Sequence, residues 1–531
     1  MATQAINEAR GPLGYTVNSE ADGKRALTAI ASTFPSRRER LPVVRRLYLD
    51  TFDWRLYRRD MRLWFQSQDD AGVLKLESNG HTVRALLPGA TVPAFASDLP
   101  EGPIRTLLAP LIDVRRLLPR AEIEDDASSL RILDDQQKTV ARVQLVQLRT
   151  SIPDAGNSTQ SLEPTIEIVP MRGYDAALGR VRSYVENDLK LAPSRRETVR
   201  EALATAGLQP GAYSSKVEWS LDADMNAIEA TAFICLTLLD AMLVNEDGVR
   251  RDLDPEFLHD FRVAGRRTRS ALALMGKVFD KEPRKRFRQE FKWLGSVTGP
   301  VRDLDVHLTQ MDSFCASLPD EAKSDLDPLG KYLRRHRSRE RRRLLAALRS
   351  KRYRVLVGEW REFLIRAPGD VSAHAAAQPI TEFASGRIRR ALRRIQKSAH
   401  DIEADTPAES LHALRIDCKK LRYLLEFFYS LYDPDDIGPL VKGLKQLQDS
   451  LGDFNDRVVQ ARAIKRMAVE MEQEKLATTD CLLAMGRLLE KQAQGQQKER
   501  RRFARCLAAF KGPENRERFE RLFRPPGSAR E

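Results

Sequence analysis

The sequence predicts an α+β domain built on an antiparallel sheet, joined to two similar helical bundles in tandem, in a chain of 531 residues. Three observations carry that reading. Short alternating or β-branched runs fill the chain as far as the Gly/Pro/Ser-rich stretch Gly207-Leu-Gln-Pro-Gly-Ala-Tyr-Ser214 and then stop. Long runs with apolar residues at helical spacing replace them. Beyond that stretch a single pattern occurs twice, 153 positions apart: His259-Asp-Phe-Arg-Val-Ala-Gly-Arg-Arg-Thr-Arg-Ser270 and His412-Ala-Leu-Arg-Ile-Asp-Cys-Lys-Lys-Leu-Arg-Tyr423.

In the first domain the strand candidates are Val43–Leu49, Met61–Gln66, Val73–Leu76, Thr82–Leu87, Val140–Leu148 and Thr165–Val169. Helices are expected over Glu20–Thr33, Pro103–Leu108 and Tyr174–Leu189. The run Tyr48-Leu-Asp-Thr-Phe-Asp-Trp-Arg-Leu-Tyr-Arg-Arg-Asp-Met-Arg-Leu63, with the later Ile166-Glu-Ile168 strand and the closing Ser215-Lys216, resembles the CYTH family of triphosphate tunnel metalloenzymes. That resemblance implies a closed, barrel-like β-tunnel whose basic side chains grip a triphosphate and whose acidic residues hold Mg²⁺ or Mn²⁺. The chain departs from the pattern where the chemistry resides. Its first strand, Gly14-Tyr-Thr-Val-Asn-Ser19, lacks the family's Glu-x-Glu-x-Lys. Trp64-Phe-Gln66 stands in place of Arg-x-Arg, and Val169 stands where a second Glu should follow Glu167. A divalent ion needs clustered oxygen ligands to offset its dehydration. Residues 1–216 are therefore expected to be a CYTH-like domain without catalytic residues, metal or cofactor, a scaffold or weak anion binder. Lys75, Arg84, Arg142 and Glu167 would line a residual tunnel, or simply mark a solvated sheet face.

Beyond the linker lies a helical region, 219–531. One repeat, about 222–366, is expected to hold helices over Asp222–Val244, Pro255–Phe279, Arg284–Thr298 and Val301–Ser317, then a hairpin over Asp320–Arg366. The second, about 377–523, has Ile380–Asp401, Ala408–Leu431, Ile437–Ser450, Asp453–Glu474 and Thr478–Phe510. Gly299-Pro300 and Gly452-Asp453 read as a helix stop followed by a new N-terminus. In each copy of the repeated pattern the histidine, the +3 arginine, the +7 residue of a basic pair and the +10 arginine fall within an arc of about 80°. Each copy is thus one helix with a basic stripe headed by an imidazole. Its other face is apolar, through Phe261, Ala264 and Leu272 in one copy and Leu414, Leu421 and Leu425 in the other. Further basic runs, Arg339–Arg343 and Lys498–Arg502, answer each other at a spacing of 159. The cluster Arg387, Arg389, Arg390, Arg393, Arg394 and Lys397 has no basic counterpart in the first repeat.

The net charge of +14 is lopsided. From Leu221 onward there are 59 Lys+Arg against 47 Asp+Glu, and before it 30 against 28. A polyanionic partner is implied, whether polyphosphate, nucleic acid or an acidic membrane surface. Five scattered cysteines without a Cys-x-x-Cys pair suit reduced thiols in the cytoplasm. The run Ala232–Val244 is interrupted by Asp240 and too short to span a bilayer, and Met1–Arg10 shows no secretory signal.

The doubled stripe, together with Arg302-Asp-Leu-Asp-Val306 and Leu451-Gly-Asp-Phe-Asn-Asp-Arg-Val458, resembles the CHAD family, the conserved histidine α-helical domain, over about Trp219 to Leu522. That resemblance implies four-helix bundles related by a pseudo-twofold axis, with a basic channel between them that binds inorganic polyphosphate without catalysis. It also implies a cytoplasmic protein associated with polyphosphate granules. The expected ligands are His259, Arg262, Arg266, Arg267, Arg269 and Lys292, with His412, Arg415, Lys419, Lys420, Arg422 and Lys445 from the second repeat. Asp303 and Asp456 have the wrong sign for phosphate and are expected to orient the arginines from behind. Arginine donates bidentately to phosphate oxygens and lysine is a flexible point charge, so the residue types fit a ligand that offers no bases to read. Protonation of the two imidazoles would tighten binding in acid. Two other readings stay open: nucleic-acid binding by the bundles, and Mg²⁺- or Mn²⁺-dependent hydrolysis of triphosphate or polyphosphate in the first domain.

Overall fold

A computed structural model describes residues 12–68, 71–78, 81–153, 159–194, 197–205, 207–215, 219–369, 375–399, 402 and 406–523. The N-terminal stretch Met1–Arg10, the closing Lys216 and the end of the helix expected to reach Asp401 lie outside them. The chain divides into two compact units, Met1–Ser215 and Lys216–Glu531.

The first unit is an antiparallel sheet with strands β1 (Leu13–Thr16), β2 (Ser36–Arg40), β3 (Val44–Asp50), β4 (Met61–Gln68), β5 (Ala71–Ser78), β6 (His81–Pro88), β7 (Leu118–Leu133), β8 (Thr139–Ser151), β9 (Gln160–Ser161) and β10 (Thr165–Pro170). Their order is β1-β10-β8-β7-β3-β4-β5-β6, with β2 on β7 and β9 on β8. Four helices accompany them: α1 (Glu20–Thr33), α2 (Pro103–Ile112), α3 (Asp175–Ser183) and α4 (Thr198–Thr205). Ile30 of α1 and Val181 of α3 bury against Val143 and Ile168, while Leu108 of α2 buries against Leu63 and Leu74.

The sequence reading missed β7, although at 16 residues it is the longest strand here. Glu122, Glu124, Asp125 and Asp126 give it poor intrinsic strand propensity. Cross-strand pairing overrides that propensity: Glu124 accepts from Arg45 Nε at 2.9 Å and Arg149 Nη1 at 3.2 Å, and Asp125 from Arg46 Nη2 at 2.5 Å. The Asp-Thr-Phe-Asp run after β3 builds a buried turn. Asp50 accepts from the backbone N–H groups of Thr51, Leu56 and Tyr57 at 2.7, 3.0 and 2.9 Å, and burial pushes its carboxyl up to about 6. Asp53 takes Thr51 Oγ1 and Arg55 Nε, and Arg55 Nη1 reaches the Ile112 carbonyl at the end of α2.

The second unit is helical. Its first repeat holds α5 (Ala227–Arg251), α6 (Pro255–Leu274), α7 (Lys281–Thr309), α8 (Met311–Cys315), α9 (Asp327–Arg349) and α10 (Lys351–Arg366). The second holds α11 (Ile380–Ser398), α12 (Ala408–Phe427), α13 (Pro434–Gln473) and α14 (Thr479–Phe510), followed by α15 (Pro513–Leu522). Successive long helices pack in the same order in both: α5 on α6, α6 on α7 and α7 on α9, then α11 on α12, α12 on α13 and α13 on α14. α5 is long and apolar enough to cross a membrane, which the run read from the sequence was not. Its Ile234, Leu238, Leu239 and Met242 are all buried within the unit.

Two helix stops expected from the sequence are not stops. α7 runs unbroken through Gly299-Pro300, and α13 through Gly452-Asp453. An interior proline forfeits one hydrogen bond and costs about 3 kcal/mol. Phe291, Leu294, Thr298 and Val301 are buried on both sides of Pro300, so packing of one continuous face offsets that cost. Gly299 serves as a notch instead, since a Cβ there would lie 3.3 Å from Arg262 Nη1.

A pseudo-twofold relation is written in the backbone. Ala227 N donates to the Gln378 carbonyl at 2.9 Å, and Ile380 N donates to the Met225 carbonyl at 3.0 Å. Adding the repeat spacing of 153 to Ala227 and Met225 gives Ile380 and Gln378, so each bond is the other's symmetry mate. The starts of α5 and α11 therefore meet as two copies of one edge.

Candidate functional site

The two stripe helices, α6 and α12, pack on each other, and α7 joins them around a cavity of about 630 Å³. Arg266, Arg269, Lys285, Arg288 and Lys292 line it from the first repeat, and Lys419 and Lys420 from the second. Ile416, Tyr423, Ala273 and Leu274 supply apolar wall, and no carboxylate stands among the described lining residues. Seven cations converging on one cleft repel one another, which an anion would relieve. Burial, reinforced by Arg415 and Arg266, pushes the Lys419 ammonium down to about 8. Lys420 Nζ has a partial counter-charge in Asp417 Oδ1 at 2.8 Å.

Lys285 and Arg288 were missed by sequence reasoning. They share a helical face with Lys292, at spacings of three and seven, so the signal was present. Their counterparts 153 residues on are Gly438 and Val441, so a search for matched pairs passes them over. Lys445, the counterpart of Lys292, is exposed on α13 and does not line the cavity.

The +3 arginines do something else. Arg262 Nη1 donates to the Gly295 carbonyl at 3.1 Å and Thr298 Oγ1 at 2.8 Å, pinning α6 to α7. Its partner Arg415 reaches Asp456 Oδ1 at 3.4 Å. Gly295, like Gly299, leaves room for a guanidinium: a Cβ would lie 3.3 Å from Arg269 Nη1. Arg262, Arg266, Arg269, Gly295 and Thr298 share a recess of about 100 Å³ beside the main cavity. Asp303 is exposed on α7, and its charge acts on the half-buried Arg262.

Arg267 and Arg422 are held by one carboxylate. Glu426 accepts from Arg267 at 2.5 Å and pairs with Arg422 at 3.1 Å, tying α6 to α12, and Arg267 also lies over the Trp219 ring. Neither guanidinium lines the cavity.

The two histidines differ in setting. His259 is half-buried, and burial together with the nearby Arg302 charge lowers its pKa. Glu256, His259 and Asp260 offer ligand atoms within 4.8 Å of one another, but Arg302 Nη1 donates to Glu256 at 3.2 Å and supplies the positive charge there. His412 is exposed, with Nδ1 2.8 Å from Asn455 Oδ1. Neither imidazole lines the cavity. The basic runs further on have internal partners: Arg341 donates to the Arg250 carbonyl, Arg343 pairs with Glu340, Arg500 donates to the Thr406 carbonyl and Arg502 pairs with Asp453.

In the first unit, Lys75 pairs with Glu77 at 2.5 Å and sits opposite Arg84 in the β5–β6 ladder. Arg142 and Glu167 belong to another region of the sheet, opposite Val169 and Gln144 on the β8–β10 ladder.

The sequence profile of the CHAD domain matches residues 234–465. Among solved structures, the chain is similar to the CHAD domain from the plant Ricinus communis, at 28% identity and a TM-score of 0.48, over 55% of this chain and 96% of that one. It is similar to PptA from Streptomyces chartreusis at 16% identity and a TM-score of 0.41, over 53% and 99%. A candidate adenylate cyclase from Bacillus halodurans aligns at 15% identity and a TM-score of 0.24, over 35% and 94%. No curated protein matches the chain.

Proposed function

Residues 234–465 form a CHAD domain, and from that premise we propose that the protein binds inorganic polyphosphate, without catalysis, in the cavity among α6, α7 and α12. One observation carries this reading: seven Lys and Arg side chains from both repeats line a single cleft without a carboxylate among the described lining residues. A phosphate chain presents closely spaced charge and nothing to stack on, and Tyr423 is the sole aromatic among those lining residues. Nucleic acid held in single-stranded form calls for aromatic platforms, which favours polyphosphate over it.

Within this reading the residues divide by task. Arg266, Arg269, Lys285, Arg288, Lys292, Lys419 and Lys420 contact phosphate oxygens. Arg262 and Arg415 act as positioning residues, the first by holding α7 at its distance from α6. Asp456 orients Arg415, and Glu426 fixes Arg267 and Arg422 at the seam between repeats. The sheet unit acts as a scaffold. Each charge-assisted hydrogen bond to phosphate contributes roughly 1.5–3 kcal/mol, so losing two should be plainly measurable.

The test is a calorimetric titration with long-chain polyphosphate. Lys285→Ala combined with Arg288→Ala should weaken binding by at least about tenfold, that is about 1.4 kcal/mol. Arg58→Ala, which removes contacts to the Gly211 and Tyr213 carbonyls, should leave binding unchanged. Equal affinities for the two variants would overturn the placement. Release of phosphate on adding Mg²⁺ or Mn²⁺ would instead favour hydrolysis in the sheet unit. A protein tethered in this way would collect in the cytoplasm wherever polyphosphate forms granules.

A further inference from the structure

The cavity does not account for the basic cluster on α11. Arg387, Arg389, Arg390, Arg393, Arg394 and Lys397 lie on this helix, and none of them forms an ion pair among the described residues. Other surface arginines of the unit do find carboxylates, as Arg352 does with Glu290 and Arg361 with Asp240. Like charges three and four residues apart destabilise a helix by a few tenths of a kcal/mol per pair. The matching positions on α5 are Ile234, Leu236, Thr237, Asp240, Ala241 and Val244, so the duplication did not impose this charge.

Arg389 and Arg393 line two adjoining hollows, of about 440 Å³ and about 750 Å³, and Arg390 lines the smaller. Lys511 and Arg516 border the larger; its three phenylalanines are buried, so they offer no stacking face. Lys511 donates to the Ala399 carbonyl, Arg516 pairs with Glu520, and Arg390 Nε donates to Gly386. Glu382 and Glu520 are the acidic lining residues. Arg389 Nη1 and Arg387 Nε are buried without a hydrogen-bond partner.

The helix that carries the cluster packs on α12, which lines the cavity. Arg387 lies close enough to Arg284 and Arg390 for both charges to act on it, and Arg284 immediately precedes Lys285 in the cavity wall. At 1.5 Å per residue the cationic stretch from Arg387 to Lys397 is about 15 Å long, and that from Arg284 to Lys292 about 12 Å. A few phosphates fill the cavity, whereas a long chain must leave it.

We propose that the arginine face of α11, centred on Arg389, Arg390 and Arg393, is a second phosphate-binding surface that receives the portion of a long linear polyphosphate emerging from the α6–α7–α12 cavity. This rests on the polyphosphate reading of that cavity and adds a chain-length preference to it. Tripolyphosphate occupies the cavity alone; long chains engage both surfaces and bind more tightly per molecule.

The test titrates the full chain with tripolyphosphate and with long-chain polyphosphate at one salt concentration. Arg390 and Arg393 are exposed, so Arg390→Glu with Arg393→Glu should fold as the wild type does. The double variant should lose about tenfold or more in affinity for long chains and keep its affinity for tripolyphosphate. Arg390→Gln with Arg393→Gln should show a smaller loss of the same kind. Unchanged long-chain binding, or equal loss for both ligands, would overturn the proposal. So would a variant that loses duplex DNA of equal charge while holding long polyphosphate as before. Failure of the wild type to bind either polyphosphate would sink the cavity reading itself, an outcome distinct from a variant that leaves long-chain binding intact.

Discussion

Lys419 is expected to carry a pH dependence of its own. Burial beside Arg302 lowers the His259 pKa, so protonating it requires more acid than an ordinary histidine does. Lys419, lowered to about 8 by burial and then by Arg415 and Arg266, titrates within reach of neutrality, with Asp456 opposing and Arg422 adding to the shift. The sign follows directly: below about 8 the ammonium is charged and attracts phosphate, and above it the amine is neutral. Polyphosphate affinity should therefore fall as pH rises from 7 to about 9, with proton uptake on binding near 8. Lys419→Arg should flatten that profile, because guanidinium stays charged throughout; a profile that the substitution leaves unchanged would assign the titration elsewhere. The charge at this position was legible from helical spacing alone. Its shifted titration was not, because burial against the other repeat has no local signature. The same holds for Arg262, whose notch at Gly299 lies 37 positions away in sequence.

At the scale of elements, the seam between α6 and α12 depends on Glu426. Arg267 is 14% exposed, and removing its carboxylate leaves two guanidinium groups facing each other. Losing one member of a partly buried charge pair costs roughly 1–3 kcal/mol. Glu426→Gln should accordingly lower the melting temperature, and polyphosphate should recover more of the loss than it adds to the wild type. A melting temperature unmoved by the substitution would show that apolar packing alone holds the seam. Helix identity and order in this unit were readable because each helix carries its own apolar stripe. Helix ends at Gly299-Pro300 and Gly452-Asp453 were misread because local stop signals yielded to a continuous buried face. β7 escaped notice for the converse reason, Glu124 and Asp125 being paired with arginines on neighbouring strands.

At the scale of the molecule, every residue lining the cavity lies in Lys216–Glu531, a compact unit with its own buried core. A fragment covering 219–531 should fold by itself and bind long-chain polyphosphate within about threefold of the full chain, a difference below 1 kcal/mol. A larger deficit would give the sheet unit a share in binding. The reciprocal backbone bonds between the starts of α5 and α11 carry a separate consequence. Their geometry is that of an isologous dimer whose protomers happen to be joined head to tail in one polypeptide. In a dimer of identical subunits any substitution appears on both sides of the axis at once, whereas covalent linkage lets the two sides vary independently. Such independence allows one opening helix to remain oily while its twin gathers arginines, and lets a single face of an otherwise even-handed assembly specialise.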